Sequence, residues 1–203
     1  MPENEGHSPK TDASFVPENA PRFTRSGLLA THKELLGRWR KAMNLVGPGP
    51  LEPHYEDADR ALAALQPRGH WGDLGTGAGF PGIPFAARFD SVRVDLVDSR
   101  QKRCRFLDEV VATSAAEGIR VLRMRHEALE PARYDGILSR ALHAPERMVE
   151  VARRLVIPGG RLVLFLQADA PVPSSPDTHV FHVEHYAVDG KARKSAELIL
   201  RGP

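Results

Sequence analysis

The sequence predicts an α/β fold: a mainly parallel seven-stranded sheet with helices on both faces and a helical cap ahead of it. Three observations support this. From His70 to Leu166, short apolar segments alternate with longer helical patterns, as in successive βαβ units. The first segment, His70–Leu74, runs into a glycine-rich loop and then into helix-forming residues. Near the C-terminus, two further strand-like segments flank Asp189-Gly190, a hairpin turn pair.

Each element has its own grounds. Residues 1–22 are rich in Pro, Glu, Asn and Ser with few large apolar side chains, which predicts a disordered tail. From Thr24 to Met43, Leu28, Leu29, Leu35, Leu36, Trp39 and Met43 recur at near-helical spacing, and Gly47-Pro48-Gly49-Pro50 ends that helix. A second helix is expected over 53–65, stopping near Pro67. These two form the cap, residues 23–66, ahead of a core at 67–203. In the core, strands are expected at 70–74, 92–97, 119–123, 134–139 and 161–166, with helices at 81–88, 101–116 and 145–155. Pro158-Gly159-Gly160 reads as a turn and 171–177 as a loop. The closing hairpin pairs Thr178–Val188 with Ala196–Leu200.

Composition narrows the class. At 203 residues and 41% hydrophobic content the chain suits one domain with a sizeable core. No apolar run reaches the roughly 18–20 residues that span a bilayer, and the N-terminus lacks the apolar core of a secretory signal. Cytoplasmic location, no membrane association and a monomer are the expectations. The single cysteine, Cys104, excludes an internal disulfide and a cysteine-based zinc site, and no metal is expected. The net charge of +2 permits nucleic acid as a partner, and basic residues cluster at 100–105, at 120–125 and at Lys191, Arg193 and Lys194.

The loop Asp73-Leu74-Gly75-Thr76-Gly77-Ala78-Gly79-Phe80 carries the chemistry. Glycines at 75, 77 and 79 let backbone turn tightly against a ligand. A dinucleotide fingerprint would need glycine where Phe80 stands. The G-x-G-x-G spacing suits S-adenosylmethionine (SAM), which has no pyrophosphate to hold. Strand two ends at Asp98-Ser99, 23 residues after Gly75, where a carboxylate accepts from both ribose hydroxyls and Ser99 is free to cap the next helix. Asp95, the rival carboxylate, sits inside the strand. Arg140 ends a central strand, at the edge where such sheets bind ligands.

Together these motifs resemble the RsmG (GidB) family of bacterial 16S rRNA guanine-N7 methyltransferases. The carrying stretches are Asp73 to Pro84, Leu96-Val97-Asp98-Ser99 with Lys102-Arg103 and Arg105-Phe106-Leu107, and Tyr134 to Ala141. Trp39, Lys41, Asn44 and Leu45, followed by His54 and Asp57, echo the family's N-terminal motifs. The resemblance implies a Rossmann-like class I SAM-dependent methyltransferase fold. It implies that Gly75 and Phe80 line the SAM pocket, that Asp98 holds the ribose, and that His126 and Glu127 contact the adenine end. It places Arg140 against cofactor and target base, as the catalytic candidate, and makes Asn44 and His54 candidate substrate contacts. The implied partner is 16S rRNA or the small ribosomal subunit. Where the family has Ala-Leu-Lys-Gly after strand five, this chain has Phe165-Leu166-Gln167-Ala168. The expected activity is methyl transfer to guanine N7. The alternatives are a methyltransferase retargeted to a small molecule or another RNA, and a SAM- or ribosome-binding relative without turnover. His143, close to Arg140, is a further candidate at the site.

Overall fold

The computed structural model describes residues 22–201. The expected tail therefore lies outside the described residues, apart from Arg22, whose guanidinium pairs with Asp90 at 3.2 Å. Two helices, α1 (Leu28–Met43) and α2 (Glu52–Ala61), precede the sheet. The core then runs β1 (His70–Leu74), α3 (Gly82–Arg88), β2 (Arg93–Asp98), α4 (Gln101–Ser114), β3 (Ile119–Arg123), β4 (Tyr134–Arg140), α5 (Pro145–Leu155), β5 (Val156–Gln167), β6 (Thr178–Val188) and β7 (Lys191–Leu200). A single 3-10 turn, His126–Ala128, lies between β3 and β4. The sheet order is β3-β2-β1-β4-β5-β7-β6. Strands β1 to β5 are parallel, and β7 is antiparallel to both neighbours. The strand order reverses beside β1, and the crevice at its carboxyl end is where ligands bind in such sheets.

Period-two alternation sorts the strand side chains between two apolar layers. Val94, Leu96, Leu138, Val163 and Phe165 join α1 to α4 on one face. Leu74, Val97, Ile137, Leu162 and Leu164 join α5 on the other. Helix α5 follows from its spacing: Met148, Val149, Val151, Ala152 and Leu155 are its buried stripe, and Arg153 and Arg154 fall in its last turn.

The largest differences from the expected bounds are four, each with a tertiary reason. Helix α1 starts at Leu28, because the chain before it is held out by Arg25. That guanidinium is buried and donates to five carbonyls, of Glu117, Ala86, Phe89, Val92 and Gly118, at 2.5–3.2 Å. Helix α2 ends at Ala61 rather than 65, and Leu62 and Leu65 turn down into the core. Strand β5 begins at Val156, so Pro158–Gly160 is an irregularity within the strand, between the Tyr134 and Gly136 pairings, rather than a turn before it. Strand β7 begins at Lys191 instead of 196, because β6 pairs with it from the hairpin turn onward and β5 from Arg193.

Candidate functional site

Two clefts meet at the carboxyl ends of β1, β2 and β4. Building the first starts at the end of β1, where the amides of Gly75 and Thr76 both donate to the Val97 carbonyl, at 2.9 and 3.1 Å. Gly75 has φ +71°, and a Cβ there would lie 2.8 Å from Leu142 Cδ1. Gly79 has φ +98°, and a Cβ would meet Ile83, Leu107 and His32 at 2.7–3.1 Å. The Ile83 amide then donates back to the Gly79 carbonyl at 2.8 Å and opens α3.

The cap grips this loop from outside. His32, fully buried on α1, faces the Ala78 carbonyl with Nε2 at 2.6 Å and the Tyr55 hydroxyl with Nδ1 at 2.8 Å. A carbonyl only accepts, so Nε2 carries the proton and Tyr55 donates to Nδ1. Burial holds the imidazole neutral, its pKa pushed down to about 4. Neither His32 nor Tyr55 was among the expected site residues. The signal for His32 was its spacing on the apolar face with Leu28, Leu35 and Leu36.

Asp98 joins the loop to α4. Its Oδ1 accepts from the Arg100 amide at 2.8 Å, and its Oδ2 accepts from the Gly77 amide at 3.1 Å and Arg103 Nη1 at 3.0 Å. A carboxylate offers about four lone-pair sites, so capacity remains for a ribose hydroxyl. Ser99 is exposed on the rim, and it does not cap α4, whose N-cap is Arg100 without a side-chain cap bond. Asp95 is excluded from the site: it is buried with Arg120 at 2.8 and 3.0 Å, Arg133 at 3.2 Å and the Tyr134 hydroxyl at 3.1 Å. His70, whose Nε2 lies 3.1 Å away, and then Arg120 hold its carboxyl far below the usual range despite burial.

The first cleft, of about 390 Å³, lies over Asp98 and Ser99 and is walled by Met124, His126, Glu127 and Leu142. It thus offers a carboxylate that can accept from a ribose hydroxyl and a rim hydroxyl, with Met124 and Leu142 as apolar surface for a flat base among Arg100, Arg103 and Arg125. His126 Nε2 lies 2.9 Å from His143 Nε2, so one ring N–H donates to the other ring's bare nitrogen. Burial lowers the His126 pKa. The His126 carbonyl is held by Arg154 at 2.5 Å, which fixes the turn.

The second cleft, of about 480 Å³, is built around Arg140. Its guanidinium lies 3.3 Å from Asp57 of α2 and 5.2 Å above the Phe80 ring. His54 lines the same cleft, and burial, then the Arg140 charge, lowers its pKa. Ala141 lines both clefts, with φ +56°, a backbone form rare for a residue with a Cβ. The clefts therefore adjoin at one strained residue.

Several expected contacts fall elsewhere. Phe80 does not line the first cleft; it is buried among His32, His54 and Tyr55, with centroids 4.8–5.3 Å away, because α2 covers it. Arg140 lines the second cleft rather than the first, drawn there by Asp57. Asp73 lies beneath the loop, accepting from the Gly82 amide at 2.8 Å, and burial pushes its pKa up to about 6. Gly77 and Gly79 shape the loop without lining either cleft. Asn44 is the exposed, left-handed C-cap of α1 and lines neither. Gly75, Asp98, Ser99, His126 and Glu127 do come together in the first cleft, with His143 and the unforeseen Arg103.

The family model described as GidB, rRNA small subunit methyltransferase G, matches residues 26–191. The chain belongs to this family. Both clefts lie almost wholly within the matched GidB region. The chain is 38% identical over 142 residues to "Ribosomal RNA small subunit methyltransferase G" of Xanthomonas campestris pv. campestris, covering 66% of each protein, just short of two thirds of that relative's length. It is 35% identical over 158 residues to the protein of the same name from Nitratidesulfovibrio vulgaris, covering 72% of each. Among solved structures, TrmN from Thermus thermophilus aligns with a TM-score of 0.53 and 21% identity, over 72% of this chain and 48% of that one. MtNAS in complex with MTA and tNA aligns at 0.57 with 14% identity, over 88% and 71%. These likenesses are of fold, that of class I methyltransferases. Among the described residues no helix is long and apolar enough to cross a membrane.

Proposed function

We propose that this GidB-family chain transfers a methyl group from SAM to N7 of a guanine in 16S ribosomal RNA. The carrying observation is the junction at Ala141 of a cleft that presents Asp98 and Ser99 and a second cleft built around Arg140. In this reading Asp98 accepts from the ribose, Ser99 adds a rim hydroxyl, and Met124 and Leu142 flank the adenine. Bound there, SAM supplies a methyl carbon already activated by a sulfonium. Guanine N7 presents an in-plane lone pair and has no proton to lose, so the chain needs no general base. Its task is to hold two reactants in line, and positioning supplies most of the acceleration. Arg140, clamped by Asp57 and stacked on Phe80, is a rigid group on the acceptor side.

A second reading, a small-molecule acceptor, is favoured by Gln167, a neutral side chain on the acceptor cleft. Incubation with methyl-labelled SAM and small subunits from a strain lacking its own enzyme separates the two. Label in 16S rRNA at a guanine N7 supports the first reading. SAM bound with no label in RNA overturns it and turns the search to small acceptors.

A further inference from the structure

We propose that the Arg140 cleft seats one nucleotide of a single-stranded RNA segment, and that Arg193 and Lys191 on β7 hold an adjacent phosphate. This rests on the functional reading above and extends it to a hairpin that reading leaves unassigned. In register, Arg193 stands between Gln167 of β5 and Tyr186 of β6. Its Nη1 donates to the Gln167 side-chain oxygen, a neutral acceptor that orients the guanidinium without cancelling its charge. The inner carboxylate of the cleft is committed elsewhere: Asp57 Oδ1 accepts from the Tyr186 hydroxyl at 2.9 Å, and Oδ2 faces Arg140 at 3.3 Å. Lys191 makes no ion pair among the described residues, and Asp189 is exposed on the hairpin turn.

The cleft thus holds three cations, Arg140, Lys191 and Arg193, against two carboxylates, Asp57 and Asp189. Arginine has five donors in a planar fork that suits phosphate oxygens, and Gln167 occupies only part of it. At about 480 Å³ the space suits one nucleotide. His54 and Phe165 supply ring surfaces for a base, the mode by which unpaired RNA bases are held. Gln167 and Lys191 are exposed at the rim, so a phosphodiester chain has room to continue past it.

The test uses the full chain and a labelled single-stranded oligoribonucleotide containing guanine, titrated across salt concentrations. Arg193→Gln and Lys191→Gln are each expected to weaken binding several-fold and to reduce the log–log salt slope by about 0.7. SAM affinity should stay unchanged in both. Arg201→Gln, at the opposite end of the sheet, should leave the slope alone. Lys191 is exposed on the hairpin, so its variant remains informative if Arg193→Gln folds poorly. An unchanged slope in both variants overturns the proposal, as does a parallel loss of SAM affinity. Free GMP bound as tightly as the oligonucleotide also overturns it, because the cleft would then take a nucleotide and not a strand. If the wild-type chain binds the oligonucleotide as described yet methylates no 16S rRNA, the functional reading falls and this one stands.

Discussion

At the scale of single residues, the buried charges divide into those that hold the fold and those that hold the site. Arg25 is the plainest of the first kind. Its five carbonyl partners come from the ends of α3 and from the chain entering β2 and β3, and none carries a charge. Burial lowers its pKa to about 10, which leaves it charged at neutral pH. Arg25→Met removes every donor at once and strands buried acceptors, so it should cost about 3–5 kcal/mol in urea unfolding. A loss under 1 kcal/mol would mean that those carbonyls find other partners. Asp73 is of the second kind. Its folded pKa of about 6 lies above its ordinary value of 3.8, so the folded state holds the proton more tightly. The stability this group contributes is fully present below about pH 4 and is lost as pH rises through 6. Asp73→Asn should therefore gain on the wild type between pH 4 and 6, by about 2–3 kcal/mol in midpoint-derived stability. A constant difference across that range would contradict the raised pKa.

At the scale of elements, the cap and the glycine loop act as one unit. Helix α1 presents His32 to the Ala78 carbonyl, and α2 presents Tyr55 to His32 and Asp57 to Arg140. Tyr55→Phe removes one hydrogen bond and leaves His32 Nδ1 without its donor, for an expected cost of about 1–2 kcal/mol. Because the lost contact supports the glycine loop, the proposed SAM site predicts that cofactor affinity falls as well, and calorimetry with unchanged affinity would separate cap from loop. Most elements were legible in the sequence because apolar runs bounded by Gly and Pro mark buried parallel strands, and β1 and β3 fall where expected. The start of β7 was not legible: Lys191 to Ser195 is largely polar, and pairing with β6, joined by β5 from Arg193 on, makes it a strand. The site shows the same division. That Asp98 lines a cleft was readable from its place at a strand end. That Arg140 lines the second cleft and not the first depends on Asp57, 83 residues earlier, which no local pattern reveals.

At the scale of the whole molecule, the sheet order puts the carboxyl ends of β1, β2 and β4 side by side, and the first cleft opens there. The cap and the β6–β7 hairpin both line the second cleft, and the Tyr186 hydroxyl joins them by donating to Asp57 at 2.9 Å. In the proposed reading, cofactor and acceptor take separate clefts that touch at Ala141. The measurement that tests this division most directly compares SAM affinity with single-turnover methyl transfer in two variants. Asp98→Ala should lose SAM affinity by at least about tenfold, the equivalent of one good hydrogen-bonded contact. Arg140→Ala should keep wild-type SAM affinity and lose methyl transfer to 16S rRNA. If Arg140→Ala loses SAM affinity as Asp98→Ala does, the two clefts are one site and the assignment of the acceptor to the Arg140 cleft is wrong.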